Sequence, residues 1–592
     1  MIAFLRWARS IALGMLNGVA MVALFIVLLV VVLMGVGFAE GDGLPGNMVL
    51  SLDLRSPIKD SSNPSVLAFE RTPTVMDIVL ALDRAGRDGR VKGLYMRLGS
   101  AGISVAKAEE IGAAVARFRK TGKFVVAHSQ GFLSQGLGDY LTAASATEIW
   151  MQPKSPFSTA GEASGAIFLR GLFDKIQAVP QIAKRSDYKS AADTFMEKDR
   201  TPADRVQTTA FLQSWYNSAT EEVAADRKVD PKAVVAVFQA SPQFADDARR
   251  AHLIDRIGYD DEAADAAKAR ADNAKLVSLM DYTRDTDSAG SVGSGPRVAL
   301  IAGTGDIVEG TTRHGSVFED TSEIAGDDFA DAIRKATKDS SIKAILLRID
   351  SPGGSVTASD QILDALRKAR TAGKPVIVSM GTLAASGGYY VSCDANKIVA
   401  EPGTLTGSIG VLTGKVAIGK SLGLVGVTED EIGVGKNALF DSELSPFTPD
   451  QWANLNAQAD AIYADFLQKV ASGRNLPLST VQNIAKGRVW TGADARREGL
   501  VDELGGFWTA VAEAKAAAGI APDERVVFKR YPQSEGFFQA LRDAVGGTEA
   551  GMRVVEGLSV LAQAPAAHAV LEALSEVPQE SVEMRATNLP IQ

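Results

Sequence analysis

The chain of 592 residues has little of what common thiol and metal sites require. Its one cysteine, Cys393, excludes an intrachain disulfide framework and a cysteine-based zinc site. Its histidines lie far apart, with no two at metal-ligand spacing on a helix face: His128, His252, His314 and His568. Acidic residues (71) outnumber basic ones (62), giving a formal charge of −9. This balance argues against nucleic acid as a partner, because phosphate binding relies on clustered Lys and Arg.

Charge is also missing from a long stretch near the N-terminus, Ile11–Ala39. Within it, Val19–Phe38 is nearly continuous Val, Leu, Met and Phe, long enough to span ~30 Å of hydrocarbon as a helix. A cleaved signal peptide is the alternative, but its apolar region usually runs only about 7–15 residues. Arginines precede the stretch and acidic residues follow it, which predicts a cytoplasmic N-terminus and an exported body. The sequence therefore predicts one N-terminal membrane anchor.

The rest of the chain contains one unit twice. Two segment pairs match at an offset of 251 and a third at 249: Val91–Leu98 with Ile342–Ile349, Thr121–Ser129 with Ala372–Met380, and Asp139–Pro153 with Gly388–Pro402. A Gly/Ser-rich stretch, Asp287–Gly295, joins the halves. The predicted division is an anchor with its cytoplasmic stub (1–45), a first half (46–286), a linker (287–296), a second half (297–545) and a tail (546–592).

Each half has the pattern of an α/β domain. We expect each to open with a periodic helix, followed by a short buried strand such as Lys343–Asp350. A helix, Ala358–Arg370, and another strand, Pro375–Ser379, come next. Strands that alternate with helices predict βαβ units and a mainly parallel sheet. Ligand sites on such sheets lie beyond the carboxyl ends of the strands, so the loops there are the candidates.

Two of these loops in the second half are rich in glycine. The segment Ser351–Ser355 (SPGGS) could present backbone N–H groups to an oxyanion, but it could equally form a tight turn or a phosphate nest. The segment Met380–Tyr390 contains Ser386, flanked by Ala and Gly at a strand-to-helix junction. An uncrowded hydroxyl followed by the Gly387 N–H suits a nucleophilic serine, and small residues there also suit close helix–sheet packing.

The repeat distinguishes Ser386 from an architectural serine. At offset 249 its counterpart in the first half is Leu137, and the first half also lacks the Pro-Gly-Gly loop. A nucleophilic serine needs a proton acceptor, and a buried neutral lysine can serve. Lowering a lysine pKa from ~10.4 to near 8 costs about 3 kcal/mol. Lys189 and Lys436 stand at equivalent repeat positions, and the residues alone do not choose between them.

The motifs SPGGSV, AASGGYY, PGTLTGSIGV and an upstream YKSA, on a duplicated body, together resemble the signal peptide peptidase A (protease IV) family in its long, two-domain form. The resemblance extends from the anchor to about residue 545. It implies an α/β fold of tandem Clp/crotonase-like βαβ domains behind one N-terminal transmembrane helix.

The resemblance also implies a role for each site residue. Ser386 would be the nucleophile, and Lys189, from the other half, the general base. Ser408 would orient the lysine amine, although an ordinary turn serine is the alternative. The backbone N–H groups of Gly354 and Gly387 would form the oxyanion hole.

Two further residues receive an expectation. Lys436 would face Leu137 in a mirrored site that has no serine to activate. The alternative, that Lys436 rather than Lys189 is the general base, stays open. Cys393 is expected on the helix after Ser386 as a buried packing residue.

By resemblance, the protein would be a serine endopeptidase that degrades cleaved signal peptides left in the bacterial cytoplasmic membrane. It would need no metal or cofactor, bind no nucleic acid, and assemble into a homotetramer with its catalytic body on the periplasmic side. Two alternatives remain at this stage. One is a crotonase-like acyl-CoA enzyme, which an exported body opposes; the other is a catalytically idle membrane scaffold, which the combination of Ser386, Lys189 and the glycine loops opposes.

Overall fold

The computed structural model describes residues 43–61, 73–99, 101–133, 136–288, 295–312 and 323–531. The predicted membrane anchor and the C-terminal tail lie outside the described residues, as does most of the Gly/Ser-rich linker. Among the helices within these ranges, none is both long enough and apolar enough to cross a bilayer.

The first half alternates strands and helices. Its strands are β1 (Met48–Asp53), β2 (Val91–Leu98), β3 (Phe124–Ser129), β4 (Glu148–Met151), β5 (Pro156–Phe157), β6 (Val179–Lys184), β7 (Gln243–Phe244), β8 (Arg256–Ile257) and β9 (Lys275–Ser278). Its helices are α1 (Val75–Arg87), α2 (Val105–Arg119), α3 (Gly138–Ala144), α4 (Arg170–Ile176), α5 (Asp193–Met196), α6 (Pro202–Arg227), α7 (Pro231–Gln239), α8 (Ala245–Arg250), α9 (Asp260–Ala269) and α10 (Leu279–Ser288).

The second half repeats the pattern. Its strands are β10 (Arg297–Thr304), β11 (Asp306–Val308), β12 (Glu323–Ala325), β13 (Ile342–Ser351), β14 (Val376–Ala385), β15 (Lys397–Ala400), β16 (Leu405–Gly407), β17 (Leu412–Ala417), β18 (Val489–Thr491), β19 (Glu503–Leu504) and β20 (Val527–Arg530). Its helices are α11 (Gly326–Lys338), α12 (Val356–Thr371), α13 (Gly387–Tyr390), α14 (Gly419–Gly423), α15 (Pro449–Arg474), α16 (Leu478–Ile484), α17 (Gly492–Arg497) and α18 (Phe507–Ala517).

Each half is built on one largely parallel sheet. In the first half the strand order is β8-β4-β3-β2-β1-β9, and every neighbouring pair is parallel. In the second half the order is β18-β16-β14-β13-β10-β20, with β15 beside β14 and β19 beside β15, and only β16 and β18 run antiparallel. The α/β class and the parallel sheet expected from the sequence are confirmed.

The expectation that each half opens with a helix is wrong. A strand comes first in both halves, β1 in one and β10 in the other, and each lies inside its sheet rather than at the edge. Both strands are short, nearly continuous apolar runs, because both faces of a parallel sheet are covered. Such runs lack the alternation that identifies a half-exposed strand.

The two halves share a hydrophobic core. Val105 and Ala108 of α2 belong to the same buried cluster as Leu346, Ile377 and Phe507 of the second half. Dense packing of this kind allows the two halves little relative motion, because protein interiors are packed as densely as crystals of small organic molecules. Side chains that come from opposite halves can therefore be held at fixed distances.

A buried ion network also joins the halves. Arg348, on β13, is 1% exposed, and its guanidinium lies 2.6 and 2.9 Å from the two carboxylate oxygens of Asp60. Its Nη1 donates to Glu110 Oε2 at 2.8 Å and to Ser379 Oγ at 2.8 Å. Asp60 and Glu110 belong to the first half, so the charge of Arg348 is neutralised entirely across the interface. Glu110 also accepts the Phe507 N–H at 2.8 Å.

Candidate active site

Ser386 lies at the junction of β14 and α13, as the sequence predicts. Its backbone has φ 54° and ψ −115°, a conformation that L residues rarely adopt. Two hydrogen bonds hold the residue in this strained conformation. Its N–H donates to Gly407 O at 2.9 Å, and its carbonyl accepts the Tyr390 N–H at 2.8 Å. Strained residues of this kind cluster at functional sites, where a side chain must be presented at a defined angle.

Lys189 of the first half reaches Ser386 of the second. It lies between β6 and a short 3-10 helix (Ser190–Ala192) and is 6% exposed. Its Nζ is 3.1 Å from Ser386 Oγ. Burial lowers the pKa of Lys189 to about 8, because charge is costly to remove from water. Burial is the cause of that shift, with no carboxylate contributing, and near pH 8 the amine is divided between its neutral and charged forms.

Ser408 is the second neighbour of the lysine amine. Its Oγ lies 2.9 Å and its carbonyl oxygen 3.0 Å from Lys189 Nζ. It follows β16 with φ 49°, and its N–H donates to Arg488 O at 2.7 Å. The structure thus brings Ser386, Lys189 and Ser408 together around one nitrogen atom.

The two glycine loops meet at Ser386. Gly353 has φ 108° and Gly354 has φ 150°, and a Cβ on Gly354 would lie 2.1 Å from Ile307 O, so only glycine fits there. A Cβ placed on Gly387 would lie 3.1 Å from the Gly354 nitrogen, which shows how closely the two loops approach. Within the described part of the chain, neither the Gly354 nor the Gly387 N–H donates to another protein group. Both are free to donate to an oxygen beside Ser386 Oγ.

The other lysine is placed differently from the sequence expectation. Lys436 does not face Leu137: its side chain is 77% exposed and pairs with Asp450 at 2.8 Å. Leu137 is 1% exposed in the first core, and its N–H donates to Glu162 Oε1 at 2.8 Å. The physical reason is that the segment around Lys189 packs on the second half, while its counterpart around Lys436 has no such partner among the described residues.

Cys393 is a buried packing residue, as expected, but it does not lie on the helix after Ser386. Helix α13 ends at Tyr390, and Cys393 follows in a turn, fully buried in the second core. Its Sγ donates to Tyr390 O at 3.2 Å. Burial raises the pKa of its thiol to about 12, so it remains protonated and unreactive.

A cleft of about 800 Å³ opens in front of Ser386 and Lys189. Both halves contribute apolar side chains to it: Phe168, Phe211, Val411, Ile462 and Phe466. A cleft of this size that is largely apolar, with a few convergent polar groups, is typical of a ligand site.

Sequence reasoning missed a short strip of the second half, Lys486–Val489, that holds the lysine. The Tyr188 N–H donates to Lys486 O at 3.2 Å. Gly487 has φ 72°, and a Cβ there would lie 2.8 Å from the Lys189 nitrogen. No motif marks the strip; the available signal was a glycine with no turn or helix-end role in the sequence pattern.

Comparisons with known proteins agree with this geometry. A model of peptidase family S49 matches the chain in two segments, residues 117–274 and 368–521, and a model of Clp protease matches residues 321–400. Protease 4 of Salmonella typhi is 31% identical over 96% of this chain and 93% of its own length. The chloroplastic serine protease SPPA of Arabidopsis thaliana is 30% identical over 86% of this chain and 75% of its own length. Protease 4 of Haemophilus influenzae is 31% identical over 77% and 75%, respectively.

These matches confirm the family resemblance and the presence of two related units. They also favour peptide-bond hydrolysis over the acyl-CoA chemistry and the idle scaffold that the sequence left open. The chain belongs to peptidase family S49 and is a serine peptidase with a Clp-protease-like α/β fold, repeated once.

Proposed function

We propose that the protein is a membrane-anchored serine endopeptidase that uses Ser386 as nucleophile and Lys189 as general base. The observation that carries the proposal is the 3.1 Å approach of the buried Lys189 amine to Ser386 Oγ. A neutral lysine can accept the serine proton, and burial supplies the neutral form near pH 8. Ser408, at 2.9 Å, orients the amine toward Ser386.

In the acylation step, Lys189 Nζ takes the Ser386 proton while Oγ forms a bond to the peptide carbonyl carbon. The carbonyl oxygen becomes an oxyanion, which the N–H groups of Gly354 and Gly387 stabilise. The charged lysine then returns the proton to the departing nitrogen as the C–N bond breaks. The products are an acyl-serine ester, a free amine and a neutral lysine.

In the deacylation step, Lys189 takes a proton from water as the water oxygen attacks the ester carbon. The same oxyanion site is used again. Lys189 then protonates Ser386 Oγ as the ester bond breaks, releasing the carboxylic acid product, which loses its proton to solvent, and restoring the free serine. Lys189 carries the transferred proton in both steps, and the cycle needs no metal or cofactor.

The substrates we propose are cleaved signal peptides that remain in the bacterial cytoplasmic membrane, and other apolar peptides. An apolar cleft lined by Phe168, Phe211, Ile462 and Phe466 favours apolar side chains over charged ones. An anchor at Ile11–Ala39 would hold the body next to the membrane where such peptides lie. In this proposal the protein crosses the membrane once, with the catalytic body on the periplasmic side.

This localisation has a direct test. Alkaline phosphatase fused after residue 45 is active only if that point is exported, and a fusion after residue 9 is the matched control. We expect activity from the first fusion and none from the second. A reporter that is active only in the cytoplasm would contradict an exported body if its fusion after residue 45 were as active as its fusion after residue 9.

We also propose that copies of the chain assemble, with a homotetramer as the expected state. The second-half segment that precedes and includes Lys436 exposes a run of large apolar side chains: Leu424, Val425, Val427, Ile432 and Val434. Its first-half counterpart, around Lys189, is covered by the second half. A second copy that covers this segment with its own first half would extend the same contact head to tail, and such contacts close into rings.

The assembly proposal is tested by mass photometry of the full chain in detergent. We expect a tetramer for the wild type and smaller species for Val425→Asp combined with Ile432→Asp. Replacing two exposed neutral residues elsewhere, Gln239→Glu with Asn273→Asp, adds the same two negative charges and serves as the control for altered charge. A wild type that is monomeric at micromolar concentration would contradict assembly.

The catalytic proposal is tested by peptide hydrolysis. Purified wild type, Ser386→Ala, Lys189→Ala and Lys436→Ala are assayed against a synthetic signal peptide, with products identified by mass spectrometry. We expect the first two substitutions to abolish turnover. Lys436→Ala, the matched control at the equivalent repeat position, should retain wild-type turnover because the Lys436 ammonium is exposed and pairs with Asp450. Full activity in Lys189→Ala would overturn the dyad.

A further inference from the structure

The turn that carries Lys189 is held from both sides by one buried amide. Lys189 has φ −77° and ψ 68°, the conformation at the centre of an inverse γ-turn. The turn is closed by the Ser190 N–H, which donates to Tyr188 O at 2.8 Å. A three-residue turn has a single internal hydrogen bond, so its orientation depends on what contacts it from outside.

Besides the strip Lys486–Val489, the turn is contacted by Gln207, on α6, which is 2% exposed. Its Nε2 lies 3.1 Å from Tyr188 O and 2.8 Å from Ser190 Oγ, so it grips the residues on either side of Lys189. Its Oε1 accepts the Val489 N–H of the second half at 3.2 Å. The partners fix the amide orientation, because a backbone carbonyl must face the NH₂ group and a backbone N–H must face the oxygen.

The second-half partner of Gln207 leads back to the active site. Val489 begins β18, which pairs with β16 so that Val489 is opposite Gly407. The preceding residue, Arg488, accepts the Ser408 N–H through its carbonyl at 2.7 Å. Ser408 in turn contacts Lys189 Nζ. The contacts form a closed circuit from the lysine turn, through Gln207 and the second half, to the lysine amine.

Charged groups around the circuit are already paired or stacked. Asp204 lies 3.3 Å from Gln207 Nε2 and forms an ion pair with Arg200 at 2.5 Å. The Arg488 guanidinium stacks over the Tyr188 ring, 5.4 Å from its centroid. Gln207 carries no charge, so it acts on the turn through its hydrogen bonds.

We propose that Gln207 is a positioning residue that locks the Lys189 turn against the second half and so keeps the amine beside Ser386. The inference rests on the proposed Ser–Lys chemistry. Without the lock the turn can swing away from Lys486–Val489, which lengthens the distance to Ser386 Oγ and admits water to the amine. A displacement of about 1 Å in such a pair can cost roughly 100-fold in rate.

The repeat supplies a control position. At the offset of 247 that aligns the helix-start residues Thr201 and Thr448, Gln207 corresponds to Asn454, which is exposed on α15. Gln207→Leu removes the amide and keeps the bulk, and Asn454→Leu makes the matched change where nothing is locked. Ser190→Ala is a milder second variant: it removes the 2.8 Å acceptor of Gln207 Nε2 and the hydroxyl's hydrogen bond to Asp204, but leaves the amide in place.

The test measures kcat and KM across pH 6–10 for wild type and the three variants, with thermal midpoints recorded for each. For Gln207→Leu we expect kcat to fall roughly 10- to 100-fold, KM to change little, and the rising limb of the pH profile to move to higher pH. Ser190→Ala should shift the profile in the same direction by less, and Asn454→Leu should match the wild type. A role in folding alone would scale activity equally at every pH, and that result would overturn the proposal.

Failure of this inference is distinguishable from failure of the proposed function. If turnover depends on Ser386 and Lys189 but both Gln207→Leu and Ser190→Ala keep the wild-type pH profile, only the positioning role is wrong. If Gln207→Leu does not fold, Ser190→Ala decides the question alone. If wild-type turnover does not depend on Lys189, the proposed dyad is wrong, and the positioning role of Gln207 is wrong as well.

Discussion

The Lys189 amine and the Ser386 hydroxyl lie 3.1 Å apart although 197 residues separate them in the chain. They belong to different halves of a duplicated protein, and neither half contains both. The pair forms where the halves meet: they share a core and an ion network, and β6 of the first half, just before Lys189, pairs with β17 of the second. In the proposed mechanism, a change that loosens this interface would therefore also lower catalytic activity.

The rate should depend on pH through Lys189. Only the neutral amine can accept the Ser386 proton, and burial lowers the Lys189 pKa to about 8. We therefore expect kcat/KM to rise as pH increases through about 8 and then level off. Initial rates on a peptide without titratable side chains measure this. A midpoint near 6.5 would indicate a histidine base, and one above 10 a solvated lysine.

Removing the lysine should stabilise the protein. The Lys189 pKa is lower in the folded than in the unfolded state, so below pH 8 both states are charged and the folded state bears the full cost of burying the charge. Between about pH 8 and 10.5 the unfolded state binds the extra proton, and wild-type stability rises with pH. Lys189→Met should therefore unfold at higher temperature than wild type at pH 7, by ~1–3 kcal/mol in free energy.

The advantage of Lys189→Met should shrink as pH rises toward 10.5, because the wild type recovers stability there. Thermal unfolding at pH 7 and at pH 9.5 measures both values. Lys436→Met is the control, since its exposed ammonium carries no burial cost. A Lys189→Met variant less stable than wild type at pH 7 would show that the contacts of the amine outweigh its desolvation.

Arg348 should hold the halves together. Arg348→Met leaves Asp60 and Glu110 buried without a positive partner, and breaking such a pair typically costs about 3–5 kcal/mol. Arg97 occupies the equivalent repeat position, but its side chain is 32% exposed and its pairs with Asp53 and Asp260 are at the surface. Arg97→Met should therefore cost under about 1 kcal/mol. Chemical denaturation compares the two, and equal losses would contradict the interface role.

Gly487 should be required beside the lysine. Gly487→Ala places a Cβ 2.8 Å from the Lys189 nitrogen and also strains a φ of 72°. Gly373 has a similar φ of 78° but open space around it, so Gly373→Ala tests the backbone strain by itself. Gly373→Ala should lose roughly 1 kcal/mol of stability from strain, and Gly487→Ala should lose more, because its Cβ also clashes with the Lys189 backbone. Only Gly487→Ala should lose turnover, by roughly 10-fold or more; equal turnover in the two variants would mean that the strip does not position Lys189.

The sequence predicts the parts of the fold that are local and repeated. The match of Val91–Leu98 with Ile342–Ile349 locates the equivalent strands β2 and β13, and the small residues around Ser386 locate the strand-to-helix junction. The opening strands β1 and β10 escape prediction because a strand covered on both faces has no alternating pattern.

The site is harder to predict because it depends on tertiary packing. Lys189 and Lys436 occupy equivalent repeat positions, and what separates them is burial: one is 6% exposed, and the other has a side chain 77% exposed. No local pattern encodes that difference, so family resemblance was needed to favour Lys189. No sequence pattern singles out Gln207, because a single polar residue on a long helix has the same local pattern whether it is buried or solvated.

The central claim is that Lys189 activates Ser386 across the two halves. Its most direct test is the rate at which a fluorophosphonate labels Ser386, followed by mass spectrometry of the modified peptide in wild type, Lys189→Met and Lys436→Met. The account predicts labelling of Ser386 in wild type and Lys436→Met, faster as pH rises through about 8, and none above background in Lys189→Met. Labelling of Ser386 at the wild-type rate in Lys189→Met would contradict it.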